Sequence, residues 1–136
     1  MPSSLALGSS HFAVTWTNPS AAYGTDKVIF TAPYDCVLLS ASEVHSVAGS
    51  DAGTVYVQLT KDTGTNAPGA GSDLLSNNSN NGFDLKGTAN TVQYASFKAG
   101  VSRKLSKGDR IALDFAGTCT SLDGVCVTLI FNRKTG

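Results

Sequence analysis

The stretch that decides the fold is Thr54-Val-Tyr-Val-Gln-Leu-Thr-Lys61, in which apolar and polar side chains alternate with a period of two. One face carries the aliphatic residues Val55, Val57 and Leu59. The other face carries Tyr56, Gln58 and Thr60. Because successive side chains of a strand point to opposite faces, the pattern predicts a β-strand with one face in the core and the other in solvent. Half-buried strands of this kind are typical of antiparallel sheets.

The same alternation recurs along the chain and predicts about eight strands. The clearest candidates are residues 11–16, 26–32, 36–45, 54–61, 91–98, 109–115 and 125–131, with weaker ones at 73–75 and 103–106. Glu43 is the only glutamate, while Ser, Thr, Gly and Asn are abundant, and this composition favours strands with turns over long helices. The sequence therefore predicts an all-β fold, an antiparallel β-sandwich of jelly-roll type, with a closed barrel as the alternative.

The 136 residues suit one domain, which we expect to span residues 25–136, preceded by an N-terminal arm over residues 1–24. The arm is mostly small and polar, and we expect it to order against a neighbouring molecule. A long loop over residues 62–90, dense in Gly, Asn and Ser, interrupts the strands. A loop of this length is often functional, and the alternative is a solvated tip.

Charge excludes several classes of partner. Ten basic residues balance ten acidic ones, so the chain lacks the basic surplus that nucleic-acid binding needs. The sequence has no apolar stretch of about 18 residues, so we expect no membrane partner. Its start lacks the pattern of a signal peptide, which points to a cytoplasm-like compartment. Charged residues are only 15% of the chain, and such a surface suits contact with proteins or sugars because little charge is desolvated on binding.

The three cysteines are odd in number and have no C-x-x-C spacing. If residues 109–115 and 125–131 form the last hairpin, the alternation places Cys119 and Cys126 on opposite faces of it. We therefore expect three free thiols.

The polar residues do not form a pattern known to support chemistry. Two histidines fall short of a zinc site or a cupin-type metal site, and there is no G-x-S-x-G. Asp109 and Asp114 lie on opposite faces of one strand, so they cannot act as a glycosidase pair. Glu43 and His45 share a face and are expected to form a hydrogen-bonded pair at the rim of the sandwich. We expect no catalytic, metal-binding or cofactor-binding residue, and no enzymatic activity.

Aromatic residues in the arm and on an outward face are the best candidates for protein contact: Phe12, Trp16, Tyr23 and Tyr56. For Phe12 and Trp16 the alternative is ordinary core packing by a first strand. A sugar-stacking role for Trp16, Tyr56 or a loop tyrosine would make the chain a carbohydrate-binding or host-attachment module of a virion tail or fibre.

Three stretches resemble small head proteins of tailed phages. They are Phe30-Thr-Ala-Pro-Tyr-Asp-Cys-Val-Leu-Leu-Ser-Ala-Ser42, Lys104-Leu-Ser-Lys-Gly-Asp-Arg-Ile-Ala-Leu-Asp-Phe115 and Val125-Cys-Val-Thr-Leu-Ile-Phe131. The resemblance implies a capsid decoration (cement) protein that is assembled in the host cytoplasm and located on the capsid exterior. It implies a homotrimer that clamps adjacent copies of the major capsid protein and stabilises the head, with no cofactor and no catalytic residues.

Overall fold

The computed structural model describes residues 10–17 and 24–133, and these ranges contain ten strands and one short helical turn. The strands are β1 (His11–Thr17), β2 (Lys27–Thr31), β3 (Cys36–Val44), β4 (Tyr56–Asp62), β5 (Ser72–Asp73), β6 (Phe83–Asp84), β7 (Gln93–Tyr94), β8 (Lys104–Leu105), β9 (Arg110–Ala116) and β10 (Cys126–Arg133). The helical turn is α1 (Asn77–Asn80). The predicted all-β fold is confirmed.

The strands form two five-stranded antiparallel sheets. Sheet A has the order β1-β10-β3-β7, with β8 also beside β3; sheet B has the order β2-β9-β4-β5, with β6 also beside β4. Both β7 and β8 pair with β3, and both β5 and β6 pair with β4, so each pair acts as one interrupted edge strand. Counted in this way the sandwich has eight strands, and their order is that of a jelly roll.

The predicted hairpin between residues 109–115 and 125–131 is wrong. β9 pairs with β2 and β4 in sheet B, whereas β10 pairs with β1 and β3 in sheet A. In this jelly roll the chain crosses to the opposite sheet between β9 and β10, so the two strands face each other across the core. Cys119 and Cys126 are free thiols, as is the buried Cys36, and they lie on different parts of the sandwich rather than across one hairpin.

The core lies between the inner faces of the two sheets. Its largest fully buried side chains are Leu38, Leu59, Leu74, Leu75, Phe83, Leu85, Leu105, Ile111, Leu113, Leu122, Leu129 and Phe131. The apolar faces predicted for β4, β9 and β10 are all directed into it. Phe131 anchors one end, where Phe12 and Phe30 stack on its ring at centroid distances of 5.1 and 4.3 Å.

Residues 63–82, here called the cover, fold over the edge and outer face of sheet B. Gln58 points away from the core, yet it is buried. Its side-chain amide donates to the carbonyl oxygens of Leu75 and Asn80 at 3.0 and 2.9 Å, and its oxygen accepts the Leu75 N–H at 2.7 Å. The Asp62 carboxylate accepts the N–H groups of Gly69 and Gly71 at 3.1 and 2.9 Å.

The cover corrects two predictions. The polar face of β4 is not in solvent, because Gln58, Thr60 and Asp62 are buried beneath the cover. The 62–90 segment is not a structureless loop, because it contains β5, α1 and β6 and contributes core residues such as Leu74 and Phe83.

The predicted arm, residues 1–24, lies only partly within the described chain. Its residues 11–17 form β1, whose inner side chains pack on the core. Tyr23 and the rest of residues 1–9 and 18–23 lie outside the described residues. In the ranges that the structure describes, no helix is long and apolar enough to span a membrane.

Candidate protein-interaction surface

The outer face of sheet A is open and uncharged. The strand register places three rows of side chains there: Thr17, Cys126 and Val44; Thr15, Thr128, Ser42 and Tyr94; and Ala13, Ile130 and Ser40. We call these ten residues the open face. None of them carries a charge, and the nearest charged side chains on neighbouring rows of the described sheet are Lys104 opposite Val37 at one end and Asp123 opposite Val47 at the other. A surface of hydroxyl and aliphatic groups has no charge to desolvate, so it suits contact with another protein.

Tyr94 is the most prominent side chain of the open face. It lies on β7 opposite Ser42, and 73% of it is exposed. Val92, two residues earlier, is also exposed and continues the apolar edge. Tyrosine at an interface combines a large apolar ring with a hydrogen-bonding hydroxyl, and it is enriched among residues that dominate binding energy.

The size of the open face sets the kind of contact it can make. Four strands at a spacing of about 4.8 Å, each contributing about 20 Å of length, give a footprint of roughly 400 Å². A standard interface buries roughly 800 Å² on each partner. The open face therefore supplies about half of a stable interface, and a tight complex needs further contacts elsewhere on the molecule.

The opposite side of the molecule differs because the cover occupies it. The carboxyl group of Asp26 and the Cβ atom of Asp114 both lie against Gly69 of the cover, and Asp26 also accepts the Phe115 N–H at 2.9 Å. Burial, the neighbouring Asp26 carboxyl and the charges of Asp73 and Asp62 raise the pKa of Asp114 to about 6. The outer side of sheet B is thus covered and acidic, in contrast to the open face.

The four residues predicted for protein contact lie in different places. Phe12 and Trp16 are on the inner face of β1, half-buried against the core, where Phe12 also meets Tyr34 edge to face at a centroid distance of 5.9 Å. Tyr56 begins β4 and is half-buried on the outer side of sheet B. Tyr23 is outside the described residues. The structure brings none of the described three together on one outer surface, and their contact role stays a prediction.

Sequence reasoning missed Tyr94, although a signal was present. In residues 91–98, Val92 and Tyr94 share one parity and Gln93, Ala95 and Phe97 the other. Both sets contain apolar residues, so the alternation alone does not decide which set is inside. The structure turns Gln93 inward because its amide donates to Glu43 Oε1 at 2.8 Å and to the Asp84 carbonyl at 2.7 Å.

Glu43 and His45 form the predicted hydrogen-bonded pair, with His45 Nδ1 2.9 Å from Glu43 Oε2. Both side chains are fully buried rather than exposed at a rim. His45 Nε2 lies 3.0 Å from the Gly87 carbonyl. Burial alone would lower the pKa of His45, but the Gly87 carbonyl and the Glu43 carboxylate raise it above its usual value. These hydrogen bonds fasten β3 to the chain near Gly87 and Gln93.

One shallow cleft lies away from the open face, between the start of the cover and the segment before β8. It has a volume of about 310 Å³ and is lined by Lys61, Thr63, Asn66, Gly71, Ser72, Gly100, Val101 and Ser102. Among the described residues, no group of three or more His, Cys, Asp or Glu side chains is placed to hold a metal ion.

Comparison with known proteins finds structural similarity at low sequence identity. No family model matches the chain, and no curated protein matches it. Among solved structures, a chain of the cyanophage Pam1 capsid asymmetric unit is similar, with a TM-score of 0.47 and 15% sequence identity. The similarity covers 92% of this chain and 83% of that one.

Proposed function

We propose that the protein is a structural virion subunit that decorates the exterior of a phage head and clamps adjacent major capsid subunits. The observation that carries the proposal is the open face, an uncharged four-stranded surface with Tyr94 exposed at one side. The resemblance of residues 30–42, 104–115 and 125–131 to tailed-phage head proteins supplies the class of partner.

The physical role of such a subunit is to add buried interface to the assembled shell. Anything that binds the assembled state and not the free subunits stabilises assembly by mass action. The open face suits this role because it lacks charges that would have to be desolvated or matched. Its footprint of roughly half a standard interface fits a subunit that gains affinity by touching more than one neighbour.

Binding to capsids tests the proposal. Purified protein is mixed with expanded heads and with procapsids that lack it, and the bound fraction is measured by co-sedimentation. We expect saturable binding to expanded heads and none to procapsids. Failure to bind either particle, at protein concentrations up to about 100 μM, contradicts the proposal.

A pair of tyrosine variants identifies the docking side. Tyr94 lies on the open face, whereas Tyr56, predicted from the sequence as a contact residue, lies on the outer side of sheet B. We expect Tyr94→Ala to weaken binding at least about tenfold, or ~1.4 kcal/mol, and Tyr56→Ala to leave it within about twofold. The opposite result moves the docking surface to sheet B. The homotrimer implied by the resemblance stays a prediction: a three-chain mass of the free protein would support it, and a two-chain mass would contradict it.

A further inference from the structure

β1 is an edge strand whose second side is unpaired by any described strand. Its seven residues pair without interruption with β10, from His11 opposite Asn132 to Thr17 opposite Cys126. The Arg133 N–H donates to the Ser10 carbonyl at 2.8 Å, which fixes the phase of the ladder. Hydrogen-bonded pairs alternate along an antiparallel ladder, so even-numbered residues of β1 bond to β10. The N–H and C=O groups of the odd-numbered residues point to the free side: His11, Ala13, Thr15 and Thr17.

This edge has none of the features that usually prevent strands from pairing. Natural edge strands are blunted by proline, lysine or other charges, or by a β-bulge. The β1 sequence, His-Phe-Ala-Val-Thr-Trp-Thr, contains no proline, lysine or carboxylate, and its register is unbroken. The edge strand of sheet B is different, because β2 starts with Lys27 and has a bulge between Val28 and Phe30.

We propose that the free side of β1 pairs with β1 of a second copy of this chain, antiparallel and related by a two-fold axis at Val14. In this register His11 lies opposite the partner's Thr17, and Ala13 lies opposite the partner's Thr15. All N–H and C=O groups on the free side then gain partners, since the odd-numbered residues become the hydrogen-bonded pairs.

Side chains on both faces of β1 are compatible with this pairing. On the inner face Phe12 lies opposite the partner's Trp16, and aromatic cross-strand pairs are favourable. On the outer face only Ala, Thr and His meet, so no two carboxylates or lysines are opposed. An isologous two-fold contact requires a surface that is complementary to itself, and β1 meets this requirement about its central residue, Val14. This is why a second copy fits better than an unrelated strand.

The pairing has a consequence for the open face. A two-fold axis normal to the sheet leaves the outer faces of both copies on the same side, so two open faces become one continuous surface. Its footprint rises from roughly 400 to roughly 800 Å², the size of one side of a standard interface. The pairing itself does not depend on the capsid proposal, because free protein is expected to form the dimer.

A proline at an odd position tests the edge without breaking the fold. Thr15→Pro removes an N–H that points to the free side, while the bonds of Val14 and Trp16 to β10 remain. Thr15→Ala is the matched control, because it changes the side chain and keeps the N–H. By light scattering after gel filtration we expect twice the 14.0 kDa chain mass for the wild type and for Thr15→Ala. We expect the single-chain mass for Thr15→Pro, with an unchanged circular dichroism spectrum.

A symmetric disulfide tests the register. In a chain with Cys119 and Cys126 replaced by serine, Val14→Cys is expected to cross-link rapidly under mild oxidation. In the proposed register Val14 lies opposite Val14 of the second copy as a non-hydrogen-bonded pair, whose Cα atoms are about 4.5 Å apart. Ala13→Cys is expected to cross-link at least tenfold more slowly, because residue 13 of one copy lies opposite residue 15 of the other and not opposite residue 13. A monomeric wild type, a three-chain mass, or a Thr15→Pro variant that keeps the wild-type mass overturns the inference. Capsid binding by a monomeric wild type would retain the proposed function while removing the dimer.

Discussion

The carboxyl groups of Asp26 and Asp114 form a pair beneath the cover, and we expect the charge of Asp114 to destabilise the fold at neutral pH. Lys27 pairs with Leu113, so Asp26 lies directly opposite Asp114 on the neighbouring strand. Like charges directly opposite in a sheet are destabilising, and Asp73 and Asp62 add to the repulsion. Replacing Asp114 with Asn keeps the shape of the side chain and removes its charge.

The sign and size of the effect follow from the raised pKa. The pKa of Asp114 is raised from 3.8 to about 6 in the folded chain. Between about pH 4 and pH 6 the folded chain therefore holds a proton that the unfolded chain has released, and stability falls as the pH rises through this range. The shift corresponds to roughly 3 kcal/mol without solvent screening. Screening at this half-exposed site reduces the expected effect to about 1 kcal/mol.

Urea unfolding at a series of pH values between 4 and 8 measures this contribution. We expect Asp114→Asn to show a smaller fall in stability over this range than the wild type and to be about 1 kcal/mol more stable at pH 7. Burial also raises the pKa of Glu43, which contributes equally to the fall in both proteins. Asp123→Asn is the control, since Asp123 is exposed and its oxygen accepts the Gly124 N–H, a bond that asparagine can also accept. If wild type and Asp114→Asn give parallel profiles over this range, the reasoning is refuted.

Two further predictions concern the interior. Gly71→Ala would place a methyl group 2.0 Å from the Lys61 carbonyl oxygen, so we expect the free energy of urea unfolding to fall by at least about 2 kcal/mol. Gly53→Ala is the control and should be neutral, because the space around Gly53 is open. Equal stabilities of the two variants would contradict the packing of the cover. Glu43→Leu leaves the buried His45 and the half-buried Gln93 without their shared partner and should cost about 3 kcal/mol. Glu43→Gln should cost clearly less because an amide can pair with both, and a Leu variant within 1 kcal/mol of wild type would show that the network contributes little.

Much of the fold could be predicted from the sequence because one face of each long strand is apolar. The alternation in residues 54–61 and 125–131 identified strands and their inner faces, and the structure buries those side chains. The sheet to which a strand belongs could not be predicted in the same way. β9 and β10 both direct an apolar face into the same core, one from each side, so their patterns look alike whether they pair or oppose each other.

The cover shows a second limit of pattern reasoning. Gln58 and Thr60 are polar and alternate with apolar residues, as solvent-facing side chains do, but hydrogen bonds inside the protein satisfy them. Alternation reports polarity and not exposure. The apolar residues Leu74, Leu75, Phe83 and Leu85 within the Gly- and Asn-rich segment were the available signal that it packs on the sandwich.

The candidate surface was the least predictable feature, because it is a sheet face that no described segment covers. The prediction that function lies on outer faces pointed to Tyr56. The sequence does not reveal that the cover occupies the outer side of sheet B, where Tyr56 lies. Tyr94 emerges as the exposed anchor only once Gln93 is seen to be held inward by Glu43 and Asp84.

The central claim is that the open face of sheet A is the docking surface, and a cryo-electron microscopy map of decorated heads tests it most directly. The account predicts that β10, β3 and Tyr94 of β7 lie against the shell, with the cover directed to solvent. A map in which the cover and Tyr56 contact the shell and Tyr94 is exposed would contradict it.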